Sequence, residues 1–204
     1  MTGVDMKTRL DERASAERLE LVTVKLATFQ TRDYNPGRSM VVRALWFLVG
    51  LPILQCSVNP LSGVKRILLR LFGAKVGEAV IIKPGVKIKN PWLLTIGRNC
   101  WIGEDCWIDN LVPVTLGEDV CISQGAYLCT GNHDWSDPSF GYRLAPITLH
   151  DGCWVGARTF VGPGVTLGSG AVLTAGSTAY RSIPDWEIHS GCPAAFVKMR
   201  YLRP

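Results

Sequence analysis

LHDGCWVGARTFVGPGVTLGSGAVLTAGSTA, residues 149–179, places an aliphatic side chain at every sixth position: Leu149, Val155, Val161, Leu167, Leu173 and Ala179. The same step runs upstream through Val76, Ile82, Ile88 and Leu94, then Ile96, Ile102, Ile108 and Val114, then Leu116, Ile122 and Leu128. Its phase slips by two residues after Leu94 and after Val114, and the period is lost between Cys129 and Thr148. A glycine often follows the aliphatic residue, as at Gly97, Gly103, Gly117, Gly156, Gly162 and Gly168. The fourth position after it holds a slim side chain, such as Val80, Cys100, Cys106, Val120, Ala126, Cys153 or Ser177.

A helix repeats its apolar residues near every 3.6 positions and a half-buried strand every second one, so neither produces a six-residue step. A short flat strand followed by a corner does. Three such sides close a coil of about eighteen residues, and coils stack at the strand spacing of roughly 4.8 Å. The aliphatic residue fills the interior, the slim one fits the corner, and the glycines are expected to supply backbone angles that a side chain forbids. No coil buries its own interior, so several must stack and the ends need covers. The expected fold is therefore all-β, a parallel β-helix over 76–184 with an extruded loop at 129–148. An N-terminal tail and helical cap segment (1–75) precede it, and a C-terminal extension (185–204) follows.

The N-terminal segment divides further. Residues 1–20 are charged and lack the apolar core of a secretion signal, which suggests a mobile tail or a solvated helix. Leu21–Phe29 alternates loosely, as a short strand or turn would, and Asn35-Pro36-Gly37 marks a break. MVVRALWFLVGLPILQCSV (40–58) is the most apolar part of the chain, but Pro52, Gln55, Asn59 and Pro60 interrupt it before it reaches membrane-spanning length. In the next segment Val64, Ile67, Leu68, Leu71 and Phe72 share one helical face, Lys65, Arg66 and Arg70 the other, with Ser62 as N-cap and Gly73 as stop. Two readings stay open for residues 40–72: helices that cover the solenoid or an oligomer contact, or a peripheral membrane contact.

Composition narrows the partners. The chain has 204 residues and a net charge of +5, a mild excess that suits a polyanionic ligand and shows no dense basic stripe outside the first seventy residues. No nucleic-acid partner is expected. Seven cysteines (Cys56, Cys100, Cys106, Cys121, Cys129, Cys153 and Cys192) include no C-x-x-C pair, and an odd number without a secretion signal points to reduced thiols and a cytoplasmic location. Three of them fall at slim corners of the repeat, where packing alone explains them.

Chemistry is expected where the period fails, because loops on rigid scaffolds commonly carry function. CTGNHDWSDPSFGYRLAPIT (129–148) holds His133 between Asn132 and Asp134, with Trp135 and Asp137 behind. An imidazole in such a loop can take up and return a proton. Residue type alone would leave His133 a plain surface histidine.

The repeat, with its aliphatic–glycine–x–x–small–x form, resembles the left-handed β-helix acyltransferases. YNPGRS (34–39), LLRLFGAKVG (68–77), WIGEDCWIDN (101–110), CISQGAYLCTGNHD (121–134) and residues 152–177 are similar to the acetyltransferases of colanic acid and other exopolysaccharide biosynthesis. That resemblance spans about residues 30 to 200. It implies a left-handed coil, acetyl-CoA as co-substrate, no metal, a homotrimer with sites between subunits, and a sugar or saccharide acceptor. It makes His133, in the TGNHD-type motif, the general base.

By the same resemblance Trp154, Gly156 and Ala157, with Ala175 and Gly176, line the pantetheine arm, and Arg181 meets the nucleotide phosphates. Lys198 is retained in the closing GCPAAFVK, where Cys192 stands in place of the usual Asn. Asn110, in the WIDN turn, either bonds a sugar hydroxyl or tolerates a left-handed corner. Asp134 orients His133 or binds the acceptor, and Asn132, Trp135 and Tyr142 are further acceptor candidates. N-acetylation of an amino sugar, or a non-catalytic scaffold, is the alternative. A zinc carbonic anhydrase is disfavoured because His150 and His189 match no ligand motif, and a serine acetyltransferase because that family carries a longer helical N-terminal domain.

Overall fold

The computed structural model describes residues 23–29, 31, 34–56 and 61–203, in two compact units. One comprises the described residues of 35–132 with 143–203, the other the described residues up to 34 with 133–142. Residues 1–20, read above as tail or solvated helix, lie outside the described residues. The division differs from the one drawn from the sequence: the helical segment and the C-terminal strands group with the coils.

In the larger unit each side of a coil is a two- or three-residue strand, and like sides pair in parallel into three sheets. The first sheet joins Lys75–Val76, Leu94–Ile96, Val114–Leu116, Ile147–Leu149 and Thr166–Leu167. The others are built on Ile81–Ile82 and Lys87–Ile88 in the same way, and Glu187–Gly191 and Ala194–Met199 extend the former with an antiparallel hairpin. Registers place Val76 beside Ile96, Ile96 beside Leu116, Leu116 beside Leu149 and Leu149 beside Leu167. Each phase slip therefore lies inside a coil. Leu94 and Ile96, like Val114 and Leu116, both point inward across a three-residue strand, which lengthens those coils by two residues.

The aliphatic hexad residues form one buried core with the slim corner residues, Cys100, Cys106 and Cys153 among them. Burial raises the Cys106 thiol to about 11 and the Cys153 thiol to about 12. The Cys100 and Cys106 thiols donate to the Gly117 and Ser123 carbonyls at 3.0 Å. These cysteines are packing groups.

The glycine expectation needs correction. None of the glycines that directly follow the inward residue has a positive φ. They sit where the next coil's backbone passes: a Cβ on Gly103 would lie 2.5 Å from Gln124 N, and one on Gly156 2.5 Å from Ala175 N. The left-handed angles fall two positions later, at Asn99, Asp105, Asp119, Gly125, Gly152, Arg158 and Gly176, among others.

The helical segment runs as α1 (Met40–Leu45), a π-type turn Trp46–Gly50, α2 (Leu51–Gln55) and α3 (Ser62–Leu71). Gly73, at φ 93°, ends α3: its N–H donates to Arg70 O, and that of Ala74 to Leu69 O, which is a Schellman motif. Ser62 is not the cap. Its hydroxyl bonds Ile82 N–H and Ile82 O.

The apolar stripe of α3 is divided: Leu68 and Phe72 pack against the core beside the buried Lys65 and Leu69, whereas Val64, Ile67 and Leu71 are exposed. Lys65 Nζ donates to Lys83 O at 2.9 Å, Arg66 to Val80 O at 2.8 Å, and Arg70 to Val76 O at 2.7 Å. Trp46 Nε1 donates to Ile88 O at 3.0 Å. The first coil explains the buried cation: it has a neighbour on one side only, and the carbonyls of its open edge need donors. Cations on α3 supply them, so the helix meets the solenoid with Lys65, Leu68, Leu69 and Phe72 and turns Val64, Ile67 and Leu71 outward.

Burial lowers the Lys65 pKa from its ordinary 10.5. Below that value the unfolded chain holds a proton that the folded chain binds less tightly, so this group's contribution to stability rises with pH just below 10.5. Urea unfolding across that window is expected to show the rise in the wild type and to lose that component in Lys65→Met. Equal slopes in the two proteins would refute it.

Candidate active site

Polar residues stack at one corner of three successive coils. Asn90, Asn110 and Thr130 are all buried there. Asn110 Nδ2 donates to Asn90 O at 2.7 Å, Asn90 Nδ2 donates to Asn110 O at 2.9 Å, and Asn110 Oδ1 accepts Asn90 N–H at 2.9 Å. Asn110 is 0% exposed with its amide oxygen and nitrogen both bonded to Asn90, which leaves no face for a sugar hydroxyl, and its φ is not positive, so the left-handed corner is not its role either.

Thr130 fixes the point where the chain leaves the coil. Its hydroxyl accepts Leu111 N–H at 2.9 Å and donates to Asp109 O at 3.0 Å, while Thr130 O accepts Ala145 N–H at 3.0 Å. Beside it, Asp109 lies 2.9 Å from Lys89 Nζ and accepts the Tyr127 hydroxyl at 3.2 Å. Burial, with Cys129 and Asp109 adjacent, pushes the Tyr127 phenol up, so it stays a neutral donor.

Past this exit, Gly131–His133 pairs with Tyr142–Leu144 as a two-stranded ribbon. In the smaller unit His133 is half-buried, its ring stacked on Phe140 at 4.2 Å between centroids and tilted 6° from it. Tyr142 lies 5.0 Å away and Phe29 5.7 Å away. His133 Nδ1 is 2.7 Å from Phe140 O. A carbonyl only accepts, so Nδ1 carries the proton and Nε2 of the neutral ring holds the lone pair.

Asp134 Oδ1 accepts the Ser136 N–H at 3.0 Å and the Ser136 hydroxyl, and the Phe140 carbonyl holds the histidine ring through Nδ1. Asn132 is exposed, and Trp135 is 73% exposed.

The proposed donor residues separate into two places. Trp154, Gly156 and Ala157 lie on one coil, and Ala175 and Gly176 on the next, directly adjacent: Gly156 N–H donates to Leu173 O and Gly176 N–H to Ala157 O, both at 2.8 Å. Lys198 extends that sheet through Ile188 and Val172 to Trp154. Arg181, exposed, follows the strand Thr178–Ala179 of a different sheet. Among the described residues no cluster of three or more His, Cys, Asp or Glu side chains is arranged to hold a metal.

Sequence reasoning missed Phe140 and Phe29. A backbone carbonyl leaves no mark in a sequence, although Phe140, at φ 53° before Gly141, sits at a forced turn. Phe29 falls in a stretch whose alternation suggested only a strand or turn. It follows the 3₁₀ turn Leu26–Thr28.

The family described as hexapeptide repeat of succinyl-transferase matches residues 93–129 and 146–180. The protein named "Putative colanic acid biosynthesis acetyltransferase WcaF" of Escherichia coli is 39% identical over 169 residues, covering 83% of this chain and 92% of that one. Galactoside O-acetyltransferase of the same organism is 30% identical over 64% of this chain and 66% of its own. Among solved structures, the hexapeptide-repeat acetyltransferase VCA0836 of Vibrio cholerae superposes with a TM-score of 0.71 at 22% identity, covering 79% of this chain and 93% of that one. A galactoside acetyltransferase in complex with coenzyme A gives 0.69 at 22% identity, over 97% and 92%. With the six-residue repeat, the three parallel sheets and a relative matched along nearly its whole length, this chain belongs to the hexapeptide-repeat acetyltransferases.

Proposed function

We propose that this chain is an acetyl-CoA-dependent O-acetyltransferase of a sugar or saccharide intermediate in exopolysaccharide biosynthesis, with His133 as general base. The observation that carries the reading is the 2.7 Å bond between His133 Nδ1 and Phe140 O, which leaves Nε2 as the proton acceptor. As the sugar oxygen attacks the thioester carbonyl, Nε2 takes the hydroxyl proton. The tetrahedral oxyanion collapses, the C–S bond breaks, and the departing thiolate takes the proton back from Nε2. No covalent enzyme intermediate and no metal enter this sequence.

The relatives' names support the reaction class, and the galactoside and colanic acid proteins support a sugar acceptor. In this reading Asn132, Asp134 and Trp135 contact the acceptor. Trp154, Gly156, Ala157, Ala175, Gly176, Arg181 and Lys198 hold acetyl-CoA, in a cytoplasmic homotrimer.

Acceptor-dependent thiol release from acetyl-CoA, screened against hydroxyl and amino sugars, tests the proposal. A product whose acetyl group hydroxylamine removes is an ester and supports O-transfer; a resistant product is an amide and overturns it. Absence of acetyl-CoA binding would favour the scaffold.

A further inference from the structure

Between Asp33 and Glu78 the chain holds six Lys or Arg residues and no Asp or Glu. That segment carries +6 of a total of +5, so the remainder is −1. Three of the six, Lys65, Arg66 and Arg70, donate to carbonyls of the first coil. Arg38, Arg43 and Lys75 stay at the surface or half-buried. The helical segment leaves aliphatic side chains outside: Met40 is 80% exposed, Leu48 77% and Leu71 78%, with Val41 and Ile67 also exposed. These are long apolar side chains at helix positions, far more open than a buried cap would leave them.

We infer that this outward helical layer is a docking surface for an anionic lipid bilayer. An interfacial layer of this kind sets its aliphatic side chains into the boundary between headgroups and acyl chains, while nearby cations meet lipid phosphates. Arg38, Val42, Leu71, Phe72 and Gly73 line a groove of about 190 Å³ that joins both chemistries, a guanidinium beside an aliphatic and aromatic wall. The charge decides against a second copy of this face as the occupant. A two-fold contact would set this acid-free segment against itself, with no carboxylate of its own to offset the repulsion, and a contact with another face of a neighbouring copy is the outcome that light scattering reads. An anionic bilayer supplies the missing negative charge and the apolar medium together. Among the described residues no helix is long and apolar enough to cross a membrane, so the contact is peripheral.

Flotation of the full chain with vesicles of phosphatidylcholine, alone or mixed with phosphatidylglycerol, tests the inference at low and high salt. The expected result is at least tenfold stronger partition onto the anionic vesicles, weakened by salt. Leu48→Glu/Leu71→Glu should abolish it with the far-ultraviolet circular dichroism and melting curve unchanged. Arg38→Glu, at an exposed position before α1, should lower it roughly fivefold or more, and it keeps the test decisive if the double variant does not fold. Equal partition onto both vesicle types overturns the proposal. So does a fall in the solution mass of Leu48→Glu/Leu71→Glu, measured by light scattering, since a second copy would then be what covers this face.

Discussion

Replacing His133 with Ala is expected to lower acceptor-dependent acetyl transfer by about 10²- to 10⁴-fold, the range for loss of a positioned general base, with the thermal transition of the solenoid unchanged. His133 belongs to the smaller unit, so its loss removes no hexad residue from the buried core. His133→Asn sharpens the test. An Asn amide can still donate to Phe140 O, but it offers no basic nitrogen where Nε2 stands. If orientation of the loop were all that mattered, Asn would rescue; as the base leaves in both variants, Asn and Ala are expected to be equally slow. Phe140→Ala separates the stack from the hydrogen bond, since the carbonyl survives while the ring that packs on His133 at 4.2 Å goes. A loss near tenfold is expected there, the smaller effect of a positioning residue. Nitrogen chemical shifts of the His133 ring should report the Nδ1–H tautomer in the wild type. Wild-type rates in His133→Ala would remove this residue from the chemistry, whatever the acceptor.

The fold was legible because a period of six is a direct record of coil geometry: every side repeats the same inward residue, and eleven or more repetitions leave little else to propose. The two phase slips were visible as well, and the strand Leu94–Ile96 explains the first by two inward residues in place of one. What the pattern does not encode is the reason for each residue. A glycine that avoids a neighbouring backbone and a glycine that adopts a left-handed angle are the same letter. Here the first kind follows the inward residue and the second sits two positions on. The helix α3 shows the same limit. Its Val64, Ile67, Leu68, Leu71 and Phe72 stripe has the spacing of a core face, yet only Leu68 and Phe72 pack inward, because an open sheet edge asks for hydrogen-bond donors and Lys65, Arg66 and Arg70 answer that demand. At the site, His133 was found through the motif around it, while its partner, a main-chain carbonyl from seven residues on, has no sequence signal. Asn110 was ambiguous for the converse reason: a turn Asn and a ligand Asn read alike until the reciprocal bonds with Asn90 are seen.

The distinction between the two kinds of glycine makes the second large prediction. A Cβ at Gly103 would stand 2.5 Å from Gln124 N, 2.7 Å from Ser123 C and 2.9 Å from Gln124 Cα, all backbone of the adjoining coil. No rotamer change relieves such a contact. The two coils must separate at that corner, although Gly103 N–H is bonded to Ile122 O at 2.7 Å across the same gap. Gly103→Ala is therefore expected to cost about 3 kcal/mol, the upper part of the overpacking range, or roughly 6–12 °C in melting temperature at this chain length. Gly176→Ala is the matched control for backbone angle: φ is +71° and nothing lies within 4 Å of the added carbon, so about 1–2 kcal/mol is expected. Gly63→Ala, in α3 with open space around it, should be neutral or gain up to about 1 kcal/mol from helix propensity. Denaturant unfolding of the three variants gives the order directly. If Gly103→Ala costs no more than Gly176→Ala, close approach between coils is not what this glycine permits, and the coils are softer than their hydrogen-bonded register implies. If the predicted order holds, a glycine that follows an inward residue, as Gly103 does, is a spacing element: it lets successive backbones meet at hydrogen-bonding distance, and that contact carries the stack from one coil to the next.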